Sequence, residues 1–443
     1  MAGAISPAGE PQGRGVMDTP EVRPTGENPA VTPPARGRAH LIIAVALLAA
    51  AVKLFIAFST LGTNDVAAFY QFEKSIGAHG LTWTYEHSVL FNHPPLVGYF
   101  LLGLARLNEN RTLEQMGITF PFLLRIPGIV ADFCVVLALV WTGRLYPELR
   151  PPTWAMLLFA ASPVSIMVTG FHGNTDAVMV LFLVLSTLAA AQQRPILSGV
   201  LLALSCQVKI IPILLVPIFV FYWIKYRQTV RYLVSSSAVW ILLSLEPLIR
   251  SPVAFIQHVV GYGGFWGIWG FTYLLRITGL PQFSRVSFFG LSPAQQIIMT
   301  ALKGIVIGLV VLLAWRRRKL DGVGLFHSVG YAWMIFFVIA PGVAAQYLIW
   351  LAPFILVLAP SFYGVLVATS ATFLFILYTV SSGGFPWYFA HVSSKYNLLF
   401  GHCALLPWLT LVAGLAVMVR KALRRNPDLK LFSLTAVETV HHS

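Results

Sequence analysis

The chain has 443 residues, 57% of them hydrophobic and 10% charged, with a formal net charge of +14. An ordinary soluble domain carries about 25% charged residues, so the composition excludes one and points to a membrane protein. The surplus cations form no stripe on a soluble domain, which excludes a nucleic-acid-binding module; they fall in short clusters between apolar runs, as cations do when they set membrane topology.

Residues 1–38 are rich in Pro, Gly, Ala and Glu without an apolar period, and they are expected to form a disordered cytoplasmic tail. Apolar runs then predict about twelve spans, near 40–61, 121–143, 153–170, 175–191, 195–208, 210–224, 232–249, 294–314, 323–340, 347–360, 363–380 and 397–419. The fold class expected is all-α, a polytopic membrane helix bundle. The run at 41–58 is too long for a signal-peptide core and is expected to stay as an anchor. Arg36 and Arg38, Arg144 and Arg150, Arg194, Lys225 with Arg227 and Arg231, Arg316 to Lys319, and Arg420 with Lys421, Arg424 and Arg425 assign both chain ends to the cytoplasmic side. LSCQVKIIP, between 195 and 224, then reads as a tight external turn rather than a break in one span. Residues 421–443 are expected to form a second cytoplasmic tail. Cys134, Cys206 and Cys403 lie in or beside apolar runs and show neither a disulfide framework nor a metal spacing.

The external loop 62–120 follows the first span and carries Asp65, Glu73, Glu86 and His93. DVAAFYQFEKSIGAHGLTWTY spaces its aromatic and apolar residues as an interfacial helix does. In HPPLVGYFLLGLARL the apolar part is about a dozen residues, too short to span, and the Pro pair opens a second surface or partly embedded helix. Together they predict a layer above the bundle.

An acidic residue just past the first span, a loop ending in Pro-Pro-Leu, and then LLRIPGIVADFCVVLAL resemble the GT-C superfamily of integral membrane glycosyltransferases. The likeness is to the polyprenyl-phosphate-sugar-dependent mannosyl- and glucosyltransferases, whose element often reads YPPL where this chain has His93. FHGNTDAVMVLFLVLS resembles their external Gly-x-x-Asp element, CQVKIIPILLVPIFVF their Lys-containing break, and AQYLIWLAPFIL, with Gln346, a late Gln-Tyr element. The resemblance implies transfer of a hexose, with mannose favoured, from a polyprenyl-phosphate donor to a lipid-linked, glycolipid or protein acceptor. It implies inversion, an active site on the non-cytoplasmic face, and a place in the cell membrane among its lipids, with no nucleic-acid partner. The catalytic module is expected over 39–280, with further transmembrane helices over 281–420.

Such a reaction needs a base for the acceptor hydroxyl and cations or donors for the departing phosphate. Asp65, beside Asn64 and Tyr70, is the candidate base, although Asn-Asp before a periodic run is also a good helix cap. Lys209 is the candidate phosphate ligand, with snorkelling to the interface as the alternative. His172 and Asp176 share one external turn and are expected to hold the acceptor or to support Asp65. His391 and Lys395, in the last external loop, are candidates for the phosphate or sugar. Arg125 and Asp132, seven residues apart, are expected to pair on one helix face. Trp266 and Trp269 are expected in the aromatic belt at headgroup level. The acids form no DxD and the histidines no HExxH, so no metal or other cofactor is expected. The rival class is a secondary transporter or lipid-linked-sugar flippase, which would show two similar halves; none is visible.

Overall fold

The computed structural model describes residues 36–261, 264–287, 290–392 and 394–425. The two expected tails therefore lie outside the described residues, except where helix continues over residues 36–38 and 421–425.

Helix α1 (Arg36–Ser59) is followed by the short strand β1 (Gly62–Thr63) and four helices, α2 (Asn64–His79), α3 (Leu81–His87), α4 (Pro95–Asn108) and α5 (Arg111–Gln115). The chain continues through α6 (Phe120–Leu145), α7 (Thr153–Ala160), α8 (Pro163–Ser165), a π-helical segment (Ile166–His172), α9 (Asp176–Ala191), α10 (Pro195–Val208), α11 (Val216–Lys225) and α12 (Thr229–Arg250). Three short helices, α13 (Pro252–Phe255), α14 (Gly270–Ile277) and α15 (Pro281–Ser284), precede α16 (Pro293–Arg316) and α17 (Gly322–Ile339). The last elements are α18 (Ala352–Leu358), α19 (Pro360–Ser382), strand β2 (Phe389–Ala390) and α20 (Asn397–Arg425).

Eight helical stretches are long and apolar enough to cross a membrane: Gly37–Ser59, Phe120–Leu145, Thr153–His172, Thr229–Arg250, Pro293–Arg316, Gly322–Ile339, Pro360–Ser382 and Asn397–Lys421. Four shorter apolar helices, Asp176–Ala191, Pro195–Val208, Ile211–Lys225 and Ala345–Leu358, occupy the remaining predicted runs. The protein is an all-α polytopic membrane bundle. At 195–224 it turns: α10 stops at Val208, and a 3-10 turn over Ile211–Leu215 leads into α11.

Local chemistry marks the helix ends. Ser292 and Gln295 form a reciprocal capping box at α16, with Pro293 at the first helical position. Asp321 caps α17 through Gly324 N at 2.9 Å. Pro95 starts α4, as its missing N–H and preset φ allow. The bundle packs α1 on α6, α6 on α9, α9 on α10 and α10 on α12, with α16 on α17 and α19 on α20. The α10–α12 contact is close enough that a Cβ at Gly199 would lie 2.3 Å from Ser235 Oγ, the small-residue approach typical of membrane helices. Val230, Val234, Leu242 and Ile249 of α12 remain exposed, an apolar face suited to lipid.

Two expectations are corrected. Trp266 and Trp269 are buried, and their indole N–H groups donate to the carbonyls of Phe283 and Phe337 at 3.1 and 2.8 Å. Flanking glycines let the 264–270 loop fold into the protein, so these rings are core and not belt. Arg125 and Asp132 also do not pair. Seven helical residues advance about 10 Å, more than a salt bridge spans. Asp132 instead meets Lys53 of α1 at 2.8 Å, and Arg125 turns to the end of α1, donating to the carbonyls of Ala57 and Thr60 at 3.1 Å each.

At the end of the bundle where α1 stops, here the site face, α2 packs on α4 and α3 as the expected layer. β1 pairs in parallel with β2, Gly62 opposite Phe389 and Thr63 opposite Ala390. The chain's last inter-helix loop is thereby fastened beside Asp65.

Candidate active site

Thr63 is the N-cap of α2, its hydroxyl accepting from Asp65 N at 3.3 Å. The capping alternative for Asp65 is thus filled by another residue, and its carboxylate is free for other partners. Oδ2 receives two donors: His172 Nε2 at 2.9 Å and Gln346 Nε2 at 3.1 Å. Oδ1 makes no hydrogen bond among the described residues, and the side chain is 33% exposed. Burial raises the Asp65 carboxyl, but the charge and hydrogen bond of His172 and the charge of Lys209 outweigh it and leave the group below the ordinary carboxylate range. Asp65 is therefore ionised at neutral pH, with one oxygen held and one available.

His172 ends the π-helical segment, an irregularity frequent at functional sites. Its Nδ1 faces Tyr378 Oη of α19 at 2.8 Å. The Asp65 carboxylate can only accept, so Nε2 carries the proton that faces it, and the Tyr378 hydroxyl holds the ring from its Nδ1 side. The His172 carbonyl accepts from Thr63 Oγ1 at 2.9 Å, which ties the segment to the start of α2. Behind it, Gly173 adopts a left-handed φ of +79°, and a Cβ there would lie 2.4 Å from Val66 Cγ2 and 3.0 Å from Arg125 Nε.

Lys209, just beyond α10, contacts the fully buried Asp176 at 2.7 Å. The same Asp176 Oδ1 accepts from Trp350 Nε1 at 2.7 Å. Its ammonium lies 4.4 Å from the Tyr347 ring centroid and 5.3 Å from that of Trp350. One N–H of the three serves Asp176, so Lys209 keeps donors for an anion. His93 packs against Phe69, with ring centroids 4.8 Å apart, and beside Phe91. Burial, then the Lys209 charge, hold its imidazole down to about 3, against an opposing pull from Asp65. His93 is thus neutral, with both Lys209 and Asp65 near enough to act on it.

The structure therefore brings Asp65, His172, Gln346, Lys209, Asp176 and His93 to one region. It does not bring in Tyr70, which is exposed and packs edge-on to Phe120 at 5.2 Å. His391 and Lys395 are exposed on the β2 loop, His391 beside Phe389 and Lys395 over the Tyr396 ring. Sequence reasoning missed Tyr378, Tyr347 and Trp350. The two rings next to Gln346 lay inside the Gln-Tyr element and were legible there, whereas nothing in FILYTV sets Tyr378 apart from core. Among the described residues, no three of His, Cys, Asp or Glu gather as metal ligands do.

The all-helical membrane bundle thus carries this carboxylate cluster at one face. Residues 100–225 match the family model described as alpha-(1->6)-mannopyranosyltransferase, N-terminal domain, of the MptA_B family, and the enzyme is accordingly a mannosyltransferase. The matched segment holds Arg125, Asp132, His172, Asp176 and Lys209, whereas Asp65, His93 and Gln346 lie outside it. No curated protein matches the chain.

Proposed function

We propose that the enzyme transfers mannose from a polyprenyl-phosphate donor to a glycan, glycolipid or protein acceptor on the non-cytoplasmic face of the cell membrane, with inversion and without a metal or other cofactor. Asp65 is the base. The acceptor hydroxyl oxygen bonds to the anomeric carbon as the bond from that carbon to the phosphate oxygen breaks. The phosphate leaves with the bonding pair, and the hydroxyl proton passes to Asp65 Oδ1. Lys209 meets the charge that grows on the phosphate. Neutral His93 and Asp176, through its hold on Lys209, shape the same region, and His391 and Lys395 approach the donor from the loop that β2 fastens. The observation that supports this reading is the geometry at Asp65: Oδ2 is held by His172 and Gln346 and Oδ1 is left open.

The test is turnover of the purified protein in lipid, with polyprenyl-phosphate mannose and polyprenyl-phosphate glucose against candidate acceptors. Mannose transfer is expected, and Asp65→Asn should lower it by roughly 10²- to 10⁴-fold with donor binding kept. Near-parental turnover in Asp65→Asn refutes the base; transfer of glucose in place of mannose refutes the donor.

A further inference from the structure

The face opposite Asp65 carries a second feature. Between the start of α1, the end of α6 and the loop into α7 lies a cavity of about 280 Å³, lined by Arg38, Arg144 and Arg150 together with Ala39, Ile42, Leu139, Val140 and Met156. Among the described residues none of the three arginines has a carboxylate partner. Arg38 and Arg150 are close enough for their like charges to oppose each other. Both guanidinium groups are aimed by the backbone: Arg38 donates to the carbonyl of Pro151, and Arg150 Nε to that of Gly143 at 2.8 Å. Arg144 is exposed and makes no hydrogen bond among the described residues. A Cβ at Gly143 would already lie 3.3 Å from the Arg150 side chain, so a glycine there lets the loop lie close and hold its arginine.

Cations gathered without a counter-charge repel, and an anion placed among them relieves the repulsion and takes up their unused N–H groups. The apolar residues in the same lining suit a hydrocarbon chain. We propose that this cavity binds the phosphate headgroup of an anionic phospholipid, with an acyl chain along Ile42, Leu139 and Val140. The site lies at the far end of α1 from Asp65 and is independent of the proposed transfer chemistry. The shared chemistry, a phosphate among arginines, also fits free phosphate, and the apolar lining separates the two.

The full-length protein, stripped of lipid in a neutral detergent, would be titrated by native mass spectrometry with phosphatidylglycerol, phosphatidylcholine and inorganic phosphate. Phosphatidylglycerol should bind at least tenfold more tightly than phosphatidylcholine. Each arginine near an anionic headgroup contributes on the order of a fivefold preference. Arg144→Gln, which removes no structural hydrogen bond, should therefore cut the preference about fivefold, and Arg38→Gln/Arg144→Gln/Arg150→Gln should abolish it. If the triple variant does not fold, the Arg144→Gln comparison decides alone. Equal binding of the two lipids, or a parental preference in Arg144→Gln, overturns the proposal. So does displacement of phosphatidylglycerol by equimolar inorganic phosphate, which would make the cavity a site for free phosphate.

Discussion

Lys53 of α1 and Asp132 of α6 meet at 2.8 Å inside the bundle, their side chains 5% and 18% exposed. Ser165 and Thr169 also donate to Asp132 Oδ2, and Lys53, Asp132 and Ser165 line a small cavity of about 40 Å³ among the helices. Removing one partner leaves the other charged and unpaired in the interior, which costs about 3–5 kcal/mol. Lys53→Met should therefore lower the thermal midpoint in detergent more than Lys53→Met/Asp132→Leu does. A double variant as unstable as the single one would show that the pair is not the source of the loss.

Gly62 precedes Thr63 and Asp65 and has φ +89°. A Cβ there would stand 2.1 Å from Arg125 Nη2 and 2.6 Å from the Phe171 carbonyl. The backbone strain and the clash act together. Gly62→Ala should lose both thermal stability and turnover. Gly103→Ala in α4, where nothing lies within 4 Å of the new methyl, should keep both or gain up to about 1 kcal/mol. Equal behaviour of the two variants would contradict the close packing around Arg125.

Lys209 holds Asp176 and, on the proposed function, meets the donor phosphate; the two separate by experiment. Lys209→Ala leaves the buried Asp176 carboxylate with only the Trp350 indole, so stability and donor binding should both fall. Lys209→Ala/Asp176→Asn should recover the thermal midpoint while KM for the donor stays high. Recovery of both would reduce Lys209 to a counter-charge.

Tyr378 reaches Asp65 through His172, and on the proposed function it is a positioning residue. Tyr378→Phe keeps the ring among Phe171 and Trp387 and removes the hydroxyl that holds the imidazole from its Nδ1 side. The kcat should drop by roughly three- to thirtyfold with donor KM unchanged. In a His172→Gln background, where the amide carries its own donor, the same change should cost little. Equal losses in both backgrounds would assign Tyr378 to packing alone.

The His93 imidazole, held down to about 3 by burial and the Lys209 charge, stays neutral where the unfolded chain takes up a proton near pH 6.5. Between those values the unfolded state binds more protons. Its contribution to stability is complete above about pH 6.5 and lost as pH falls toward about 3. Thermal midpoints measured from pH 7 down to pH 4 should therefore fall less steeply for His93→Gln than for the parent. Parallel curves would mean that His93 charges freely in the folded protein.

The helices were legible because a hydrocarbon crossing is written into composition: each predicted apolar run is helical, and the Pro pair at 94–95 does open a helix. Asp65, His172 and Gln346 were legible as candidates because each is a polar residue at the edge of an apolar run. What could not be read was who meets whom. Lys53 finds Asp132 across 79 positions, and helix periodicity placed Arg125 on the same face as Asp132 without showing that its long side chain turns to the carbonyls of α1. Tyr378 looks like any aromatic residue of a span until π-helical geometry sets His172 against it. Trp266 and Trp269 misled for a related reason, since glycine-rich loops with tryptophan suit both a bilayer surface and a fold back into protein.

The parallel pairing of Gly62 with Phe389, reinforced by Val392 N donating to Asn64 Oδ1 at 3.1 Å, bears on the order of biosynthesis. A chain threaded into the membrane from its N-terminus exposes Asp65 early, while Gln346 follows 281 positions later and β2 later still. The nascent protein thus carries its carboxylate through nearly the whole of insertion without the neighbours that hold it. If Asp65 is the base, prematurely terminated chains that lack the final loop are expected to be silent toward substrate.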